Sequence, residues 1–344
     1  MGRVSEPDIE LGKPRDLGDG IAQIAVPFPN SPLGYTLVYV LDSDSGPVLI
    51  DTGWNAPEAW QGLNDGLHAL GTSIERVHGV VITHHHPDHS GLNAQLKAHN
   101  PDAWIAMHPA DAEQVRRFHE AVERREQWEA DGIRRAGASD EEVAQYAELD
   151  RGMRPPSIPD REPVDGELID LPGRKLRALW TPGHTPGHLC FLLEDAGPAG
   201  TGRLFTGDHL LPRITPHVGL YPYDVPDIDP LGDFLQSQTR LTELGVDEAL
   251  PAHRQEFQGV TDRANEIIAH HEERLEELRA LLSATPISLW EATSRLHWKR
   301  PWDQMPVMQR RMAAGEAASH LRLLEVRGQA QRTPGDDNLT YIAA

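Results

Sequence analysis

The chain has 344 residues, of which 39% are hydrophobic, with a formal net charge of −21 and one cysteine. This length and apolar content are sufficient to bury the core of one large domain and a small second one. A single cysteine excludes an internal disulfide framework and is typical of a reducing compartment. The amino terminus has no apolar leader, Glu6 stands where a myristoylation motif requires Ser or Thr, and no run approaches about 18 apolar residues. We therefore expect a cytoplasmic protein without a membrane segment.

The excess acid is concentrated in the first three quarters of the chain. Residues 259–344 contain 11 Lys plus Arg and 12 Asp plus Glu, so residues 1–258 contain 21 of the 32 basic and 41 of the 53 acidic residues. Such a surface repels a polyanion such as RNA, although salt screens the repulsion beyond a Debye length of about 8 Å. The charge disfavours a nucleic-acid substrate without excluding it, and an acidic surface also serves solubility alone.

In chain order, the first apolar runs predict strands at residues 20–27, 35–41 and 47–50, and Asn55 is predicted to cap the helix that follows. The next run, residues 80–82, leads directly into Thr83-His84-His85-His86-Pro87-Asp88-His89. In the pattern His84-x-His86-x-Asp88-His89, three imidazoles and a carboxylate share one short loop after a strand. These are the ligand types suited to zinc and its neighbours, and the spacing disfavours the alternative of a solvated histidine cluster.

Polar residues follow three later strand-like runs in the same way. His184 comes after residues 176–180, Asp208 and His209 come after 204–206, and His253 comes after 249–251. Because such strand ends converge on one edge of a sheet, we expect these side chains to meet the histidine loop.

The order and spacing of these motifs, from about Gly20 to about Gln258, resemble the metallo-β-lactamase superfamily. The resemblance implies an α/β fold of four αββα layers and a binuclear metal centre. Position by position, it implies a first metal on His84, His86 and His184, a second on Asp88, His89 and His253, and a bridge at Asp208.

In that centre two divalent ions share a hydroxide that attacks the substrate, and one ion polarises the substrate oxygen. Asp88 and Asp208 are the expected catalytic residues, while Asp51 and His209 are candidates for supporting positions beside the ligands. Zinc is the expected metal, with iron or manganese as alternatives. Because neutral histidines are required, activity should fall below a pH of roughly 6.5.

Departures from family patterns narrow the chemistry. A β-lactamase proper usually has a cysteine among its second-metal ligands, but Cys190 lies inside an apolar strand-like run. Flavodiiron oxidoreductases typically carry a glutamate where His86 stands. A mononuclear iron sulfur dioxygenase retains much the same motif and stays an alternative.

Two segments of the large domain are candidates for substrate contact. Residues 110–154 form a charged, helix-forming insert, interpreted either as a lid or as surface decoration. The proline-rich loop after Asp208 contains Arg213, a candidate for pairing with a carboxylate or phosphate, although an internal ion pair is an equal alternative. Tyr221 and Tyr223 in the same loop are further candidates, with core packing as the alternative.

We predict a domain boundary between residues 1–258 and 259–344. Helices at 261–282 and 308–326 flank a capping box at Ser288 that starts another helix, and a terminal hairpin turns at residues 334–337. This pattern resembles a small α+β winged-helix domain. A basic patch is an expected feature of a nucleic-acid role; the candidates are Arg295, Lys299, Arg300, Arg310 and Arg311.

The first functional hypothesis is hydrolysis of a small thioester, ester or lactone. The second is a metal-dependent endoribonuclease or phosphodiesterase that uses the winged helix, because ligands alone do not separate carbonyl from phosphodiester chemistry. The third, a catalytically idle regulator, is disfavoured by the intact ligand set. We expect a small-molecule partner and no membrane, while the sequence leaves a homo-oligomer open.

Overall fold

The computed structural model describes residues 9–148, 156–197, 200–221, 227–333 and 339–344, with only the backbone described over 121–126. These residues form two compact units. The first comprises the described parts of Met1–His119, Met153–Pro216 and Ser237–Ala264, and the second comprises those of Glu120–Gly152, His217–Gln236 and Asn265–Ala344. The predicted boundary after residue 258 stays a prediction.

The strands are β1 (Pro14–Gly18), β2 (Ile21–Pro27), β3 (Tyr35–Leu41), β4 (Val48–Ile50), β5 (Gly79–Val81), β6 (Trp104–Ala106), β7 (Leu176–Trp180), β8 (Leu189–Leu193), β9 (Arg203–Gly207), β10 (Glu248–Pro251), β11 (Phe257–Gln258), β12 (Ile287–Ser288), β13 (Ala330–Arg332) and β14 (Thr340–Ala343). The helices are α1 (Pro57–Ala69), α2 (Pro87–Ser90), α3 (Asn93–His99), α4 (Pro109–Ala136), α5 (Asp140–Ala147), α6 (Pro230–Thr242), α7 (Val260–Leu281), α8 (Leu289–Arg295) and α9 (Val307–Val326). Short 3₁₀ turns occur at Ile74–Arg76 and Trp302–Gln304.

Two sheets build the first unit. The first has the order β1-β2-β3-β4-β5-β6, antiparallel as far as β4 and parallel from β4 to β6. The second has the order β11-β10-β9-β8-β7, in which only the β9–β10 pair is parallel. Strand β3 is buried on both faces, because alternate residues of a strand point to opposite sides of the sheet.

The two faces of the first sheet pack into two different cores. Tyr39 on one face joins Phe191 and Phe205 of the second sheet, so this core lies between the sheets. Val38 on the other face joins Leu63 of α1, so this core lies between the first sheet and helices. Helices outside two packed sheets form a mixed α/β architecture, which confirms the predicted α/β class.

The second unit contains a three-stranded sheet of order β12-β14-β13 with antiparallel pairing throughout. Glu142 of α5 accepts hydrogen bonds from Trp290 on α8 (3.3 Å) and Arg310 on α9 (2.6 Å). The α4–α5 region, predicted as part of an insert, therefore packs against the helices of the carboxy-terminal region. Its function as a lid stays a prediction.

Most predicted elements are confirmed within two residues at either end, including β2, β3, β7 and α7. The cap of α1 was predicted wrongly, because Ala56 rather than Asn55 is the N-cap and no side chain caps this end. Pro57 at the first helical position lacks an N–H and has a helical φ, so it starts the helix without a cap. Ser288 accepts a hydrogen bond from the Glu291 N–H, as the predicted capping box requires. The predicted turn at 334–337 lies outside the described residues.

Within the described part of the chain, no helix is both long enough and apolar enough to cross a lipid bilayer.

Gly66 tests the contact between α1 and the first sheet. Alanine in a helix is ordinarily more favourable than glycine by roughly 1 kcal/mol, but a Cβ at Gly66 would lie 2.7 Å from Ile24. We expect Gly66→Ala to lower the free energy of unfolding by about 1–3 kcal/mol, the usual cost of overpacking. Urea denaturation measures it. The double variant with Ile24→Val should lose less than the sum of the single variants, and a more stable Gly66→Ala protein would contradict the packing.

Candidate metal centre

The ends of the strands in the first unit bring all seven predicted ligands to one edge of the two sheets. The positions are His84, His86, Asp88 and His89 after β5, His184 in the turn between β7 and β8, Asp208 after β9, and His253 after β10. Backbone hydrogen bonds tie these loops together: Leu189 N–H donates to the Thr83 carbonyl (2.8 Å), and Ala252 N–H donates to the Gly207 carbonyl (3.0 Å). The predicted convergence is confirmed.

Three imidazoles form the first cluster. His84 Nε2 lies 3.0 Å from His86 Nδ1 and 3.2 Å from His184 Nε2. These three residues each offer one ligand atom, and the three atoms lie within 4.8 Å of one another. The cluster therefore has the nitrogen donors and the spacing to hold one metal ion.

A second cluster, with the same property, combines Asp88, His89 and His253. Asp88 Oδ2 lies 3.4 Å from His253 Nε2 and 3.6 Å from His89 Nε2. Asp208 reaches both clusters, with Oδ1 3.3 Å from His253 Nε2 and Oδ2 3.7 Å from His184 Nε2. The described residues thus contain donors for a metal ion at either end of the Asp208 carboxylate.

Hydrogen bonds behind the rings fix which nitrogen faces this centre. His89 Nδ1 donates to Asp51 Oδ2 (2.8 Å), and His253 Nδ1 donates to the Tyr35 carbonyl (3.1 Å). Since a neutral imidazole has one N–H, the Nε2 atoms of both rings are left as acceptors for a metal. The partner groups therefore set the tautomer that coordination requires.

The unpaired atoms of the centre indicate that a cation fits there. His89 Nε2, His253 Nε2 and Asp208 Oδ1 are buried, and none has a hydrogen-bond partner among the described residues. Buried polar atoms without hydrogen-bond partners are costly, and a cation held between these three atoms would supply the missing partner. Nitrogen and carboxylate oxygen together form a donor set suited to zinc, iron or manganese.

Charge compensation operates inside the centre. Burial disfavours ionisation of Asp208, but His253 and His89 outweigh this and hold the pKa of the carboxyl well below its usual value. Although burial disfavours its charged form, His253 has its pKa raised to about 10 by Asp208 and Asp88. In the first cluster, burial and then neighbouring imidazoles lower the pKa of His84 well below the ordinary value. That ring is therefore in the neutral state that binds metals.

Asp51 supports the centre from the end of β4. Its backbone has φ of 63°, a left-handed conformation that is rare for a residue other than glycine. In this conformation Oδ1 accepts from the Thr83 N–H (2.8 Å) while Oδ2 holds His89. Thr83 Oγ1 also lies 3.0 Å from His84 Nδ1. Strain at Asp51 is thus offset by contacts that position two ligand histidines.

A family model described as the metallo-beta-lactamase superfamily matches residues 31–253, more than half of the chain. The chain belongs to the metallo-β-lactamase superfamily. Its relatives in this superfamily, one of which is named a thioesterase, indicate a hydrolase.

Individual superfamily members are similar over different lengths. A crystal structure of a metallo-β-lactamase family protein from Thermus thermophilus is 32% identical, with a TM-score of 0.76, over 96% of this chain and 100% of that one. Lactamase-like protein adaB of Aspergillus niger is 25% identical over 72% of this chain and 58% of its own. Thioesterase pkgB of Emericella nidulans is 28% identical over 57% of this chain and 43% of its own. The chain thus spans less than two thirds of the length of these fungal relatives.

The remaining predicted site residues have defined positions. His209 is buried, its ring centroid lies 5.4 Å from that of His188, and burial followed by His184 lowers its pKa to about 3. Arg213 is exposed on the loop that follows Asp208. Their predicted functions, in support of ligands and in substrate binding, stay predictions.

Of the two tyrosine candidates, the structure describes Tyr221, which lies in the second unit. Tyr221 donates to or accepts from His217 Nε2 (2.7 Å), and the Arg311 guanidinium lies 4.3 Å from its ring centroid. It lines a cavity of about 370 Å³ together with Glu129, Arg311 and Gly315. Tyr223 lies outside the described residues.

Sequence reasoning missed Asp111, which is buried in the first turn of α4. It accepts hydrogen bonds from the loops that carry His84 and His184. Burial opposes its ionisation, but His85 and the hydrogen bonds from His85 and Thr185 lower its pKa. The signal was available, because Asp111 shortly follows β6 as Asp51 follows β4, and both strands belong to one sheet.

Replacement of Asp51 by Asn tests the support behind His89. An amide retains one oxygen but places an N–H₂ group against either the Thr83 N–H or the His89 N–H, so one of the two contacts is lost. We expect metal affinity to fall about 10–100-fold, the usual effect of losing such a partner. Chelator competition measures the affinity.

Asp160→Asn is the matched control, because Asp160 also accepts a backbone N–H, that of Ile105 (2.9 Å), but bonds to no ligand loop. Wild-type metal affinity in Asp51→Asn, with only the melting temperature lowered, would contradict the role of Asp51.

Proposed function

We propose that the chain is a binuclear metal-dependent hydrolase of small acyl substrates: thioesters, esters or lactones. The observation that carries this proposal is the arrangement of the ligand groups. His84, His86 and His184 form one group and Asp88, His89 and His253 form another, with no shared residue. A third group, of His84, His89 and Asp208, joins them. Two separate groups joined by a carboxylate favour two ions rather than one.

Two divalent cations at this position would supply a hydroxide nucleophile at neutral pH and polarise the scissile carbonyl. The protein contributes the geometry. Asp208 directs one oxygen to each cluster, and it and Asp88 are the proposed catalytic residues. Asp51 and the Tyr35 carbonyl hold the second-cluster rings in the required tautomer, so little reorganisation is needed when a substrate binds. Zinc is the proposed metal, with iron or manganese as alternatives.

Two observations favour a thioester, ester or lactone over a β-lactam as the substrate. One relative, which is similar to part of this chain, is named a thioesterase. Cys190 is buried within β8, and burial raises the pKa of its thiol to about 12, so it serves neither as a nucleophile nor as a metal-binding thiolate. The second-metal cysteine of typical β-lactamases therefore has no counterpart at this position.

Residues 259–344 are proposed to form a winged-helix-like domain. The order α7, β12, α8, α9, β13, β14 and the three-stranded sheet support this. A winged-helix-like domain also supports an alternative function, that of a metal-dependent endoribonuclease or phosphodiesterase that binds nucleic acid through this domain.

The charges disfavour that alternative. Within the second unit Arg310 bonds to Glu142, Arg311 lies 3.5 Å from Glu129, and Arg295 pairs with Glu291 on its own helix. Three of the five arginine and lysine residues predicted to form a basic patch are thus engaged by carboxylates, and a phosphate would have to displace these partners.

We propose a small-molecule substrate, a cytoplasmic location and no membrane partner, with a homo-oligomer as an open alternative.

Metal content and substrate class can be measured on one sample. Elemental analysis should give about two metals per chain, and the same sample should hydrolyse members of a thioester and lactone panel but not single-stranded RNA. Removal of the metals by a chelator should abolish turnover, and Zn²⁺ should restore it. RNA cleavage would instead support the nuclease, and one iron per chain would support the dioxygenase.

Asp208→Ala provides the matching variant, because it removes the carboxylate that joins the clusters. Activity should fall more than about 100-fold, beyond the usual cost of losing a residue that merely supports a ligand. Unchanged activity would contradict the metal assignment.

Arg213→Ala tests the proposed substrate contact. If the guanidinium pairs with a substrate carboxylate, its loss should raise KM about tenfold for carboxylate-bearing substrates, with little change in kcat and no change for uncharged ones. Arg117→Ala is the control, because Arg117 is an exposed arginine of the same unit and pairs with Glu113 on its own helix. Equal KM changes in both variants, or none for Arg213→Ala, would contradict the contact.

A further inference from the structure

We infer that Asp111 is a positioning residue that sets the distance between the two loops of the first cluster, and so governs cation binding by His84, His86 and His184. The inference deepens the proposed function and rests on its metal centre. It concerns one carboxylate on α4 that touches neither a ligand atom nor the reacting groups, and so acts through the loops.

Asp111 accepts a hydrogen bond from each of these loops. On the first loop, the His85 N–H donates to Oδ2 (2.8 Å), and His85 Nδ1 lies 3.1 Å from the same oxygen. His85 stands between the ligands His84 and His86, so this bond holds the backbone that carries both.

The second loop is held at two points. Thr185 Oγ1 donates to Asp111 Oδ2 (2.8 Å), and the Gly187 N–H donates to Asp111 Oδ1 (2.7 Å). Thr185 directly follows the ligand His184. The carboxylate is fully buried, so water cannot replace these bonds without opening the site.

Close packing supports the same conclusion independently of the hydrogen bonds. A Cβ built on Gly187 would lie 2.4 Å from the Asp111 nitrogen and 2.8 Å from the Asp111 Cβ. Only glycine permits the second loop to approach α4 this closely. Both the carboxylate and the absent side chain at Gly187 therefore maintain one loop-to-helix distance.

The second cluster depends on other groups. His89 is held by Asp51 and His253 is held by the Tyr35 carbonyl. Within the described chain, the hydrogen bonds that Asp111 accepts come from His85, Thr185 and Gly187, and not from either of these rings. The loss of Asp111 should therefore weaken the three-histidine cluster selectively.

The test is Asp111→Asn, measured by titration with Co²⁺ and by elemental analysis, neither of which requires a substrate. An asparagine presents its N–H₂ group either to the Gly187 N–H or to the His85 N–H, so at least one of the two loops loses a backbone hydrogen bond whichever way the amide turns. We expect one of two Co²⁺ ions to bind about 10–100-fold more weakly. The absorption spectrum of the remaining ion should match that of His184→Ala, which damages the first cluster, and differ from that of His253→Ala.

Gly187→Ala is the second variant, because it disturbs the same loop and leaves the carboxylate in place. It should reproduce the weakened binding of one ion. Asp160→Asn is the matched control and should bind both ions with wild-type affinity, since its contacts are to Ile105 and Lys97.

The inference would be overturned if Asp111→Asn and Gly187→Ala both bound two Co²⁺ ions with wild-type affinity. It would also be overturned if the two variants bound both ions equally more weakly. If the wild-type protein binds no Co²⁺, the proposed metal centre fails, and the inference fails with it. Failure of the inference alone is recognised by a wild-type protein that binds two ions alongside variants that do the same.

Discussion

The structure of the first unit depends on the mutual compensation of buried charges. Asp88 and Asp208 are held among the imidazoles of His89 and His253, with the nearest oxygen-to-nitrogen distances between 3.3 and 3.6 Å. Neither kind of group is stable alone in a buried site, since isolated charges lose their hydration there. Compensation without full hydrogen bonding leaves three converging atoms unpaired. A divalent cation at this place would take over from the protons on the two rings and would be bound by the carboxylates and the Nε2 atoms together.

This compensation requires accurate placement, and the two packed sheets supply it. The ligands stand on loops at strand ends, where the cores on either face of the first sheet immobilise the backbone. Bonds between loops then remove the remaining freedom, as when Leu37 N–H donates to the Ala252 carbonyl (2.7 Å) beside His253. The left-handed backbone of Asp51 (φ 63°) and of Arg254 (φ 77°) shows where conformational preference gives way to site geometry. These contacts hold the candidate ligands in position before a substrate binds, which is the preorganisation that catalysis requires.

The meeting of the seven candidate ligands could be predicted because its signals are local: rare residue types follow apolar runs at fixed spacing, and strand ends converge. The position of Asp111 shortly after β6 is a local signal, but its function could not be predicted from it, because that function arises from contacts with residues 26, 74 and 76 positions away along the chain. Strand positions were likewise local and were confirmed, whereas the cap of α1 depended on competition between Asn55 and the proline two residues later. The sequence does not show that the carboxylate of Asp111 is buried at the start of a helix. Its function can be inferred only once the positions of the surrounding loops are known.

Substrate choice is a separate physical problem from metal binding. The metal ligands serve carbonyl and phosphodiester hydrolysis equally, so discrimination must come from groups outside the centre. Composition predicted an almost neutral carboxy-terminal region. In the structure, Arg310 and Arg311 of that region pair with Glu142 and Glu129, carboxylates from an earlier part of the chain that belong to the same unit. A nucleic-acid surface needs the opposite arrangement, with cations held apart from carboxylates so that phosphates release counterions on binding. The carboxylates beside these arginines thus disfavour binding of a nucleic acid, and they support the proposed small acyl substrate.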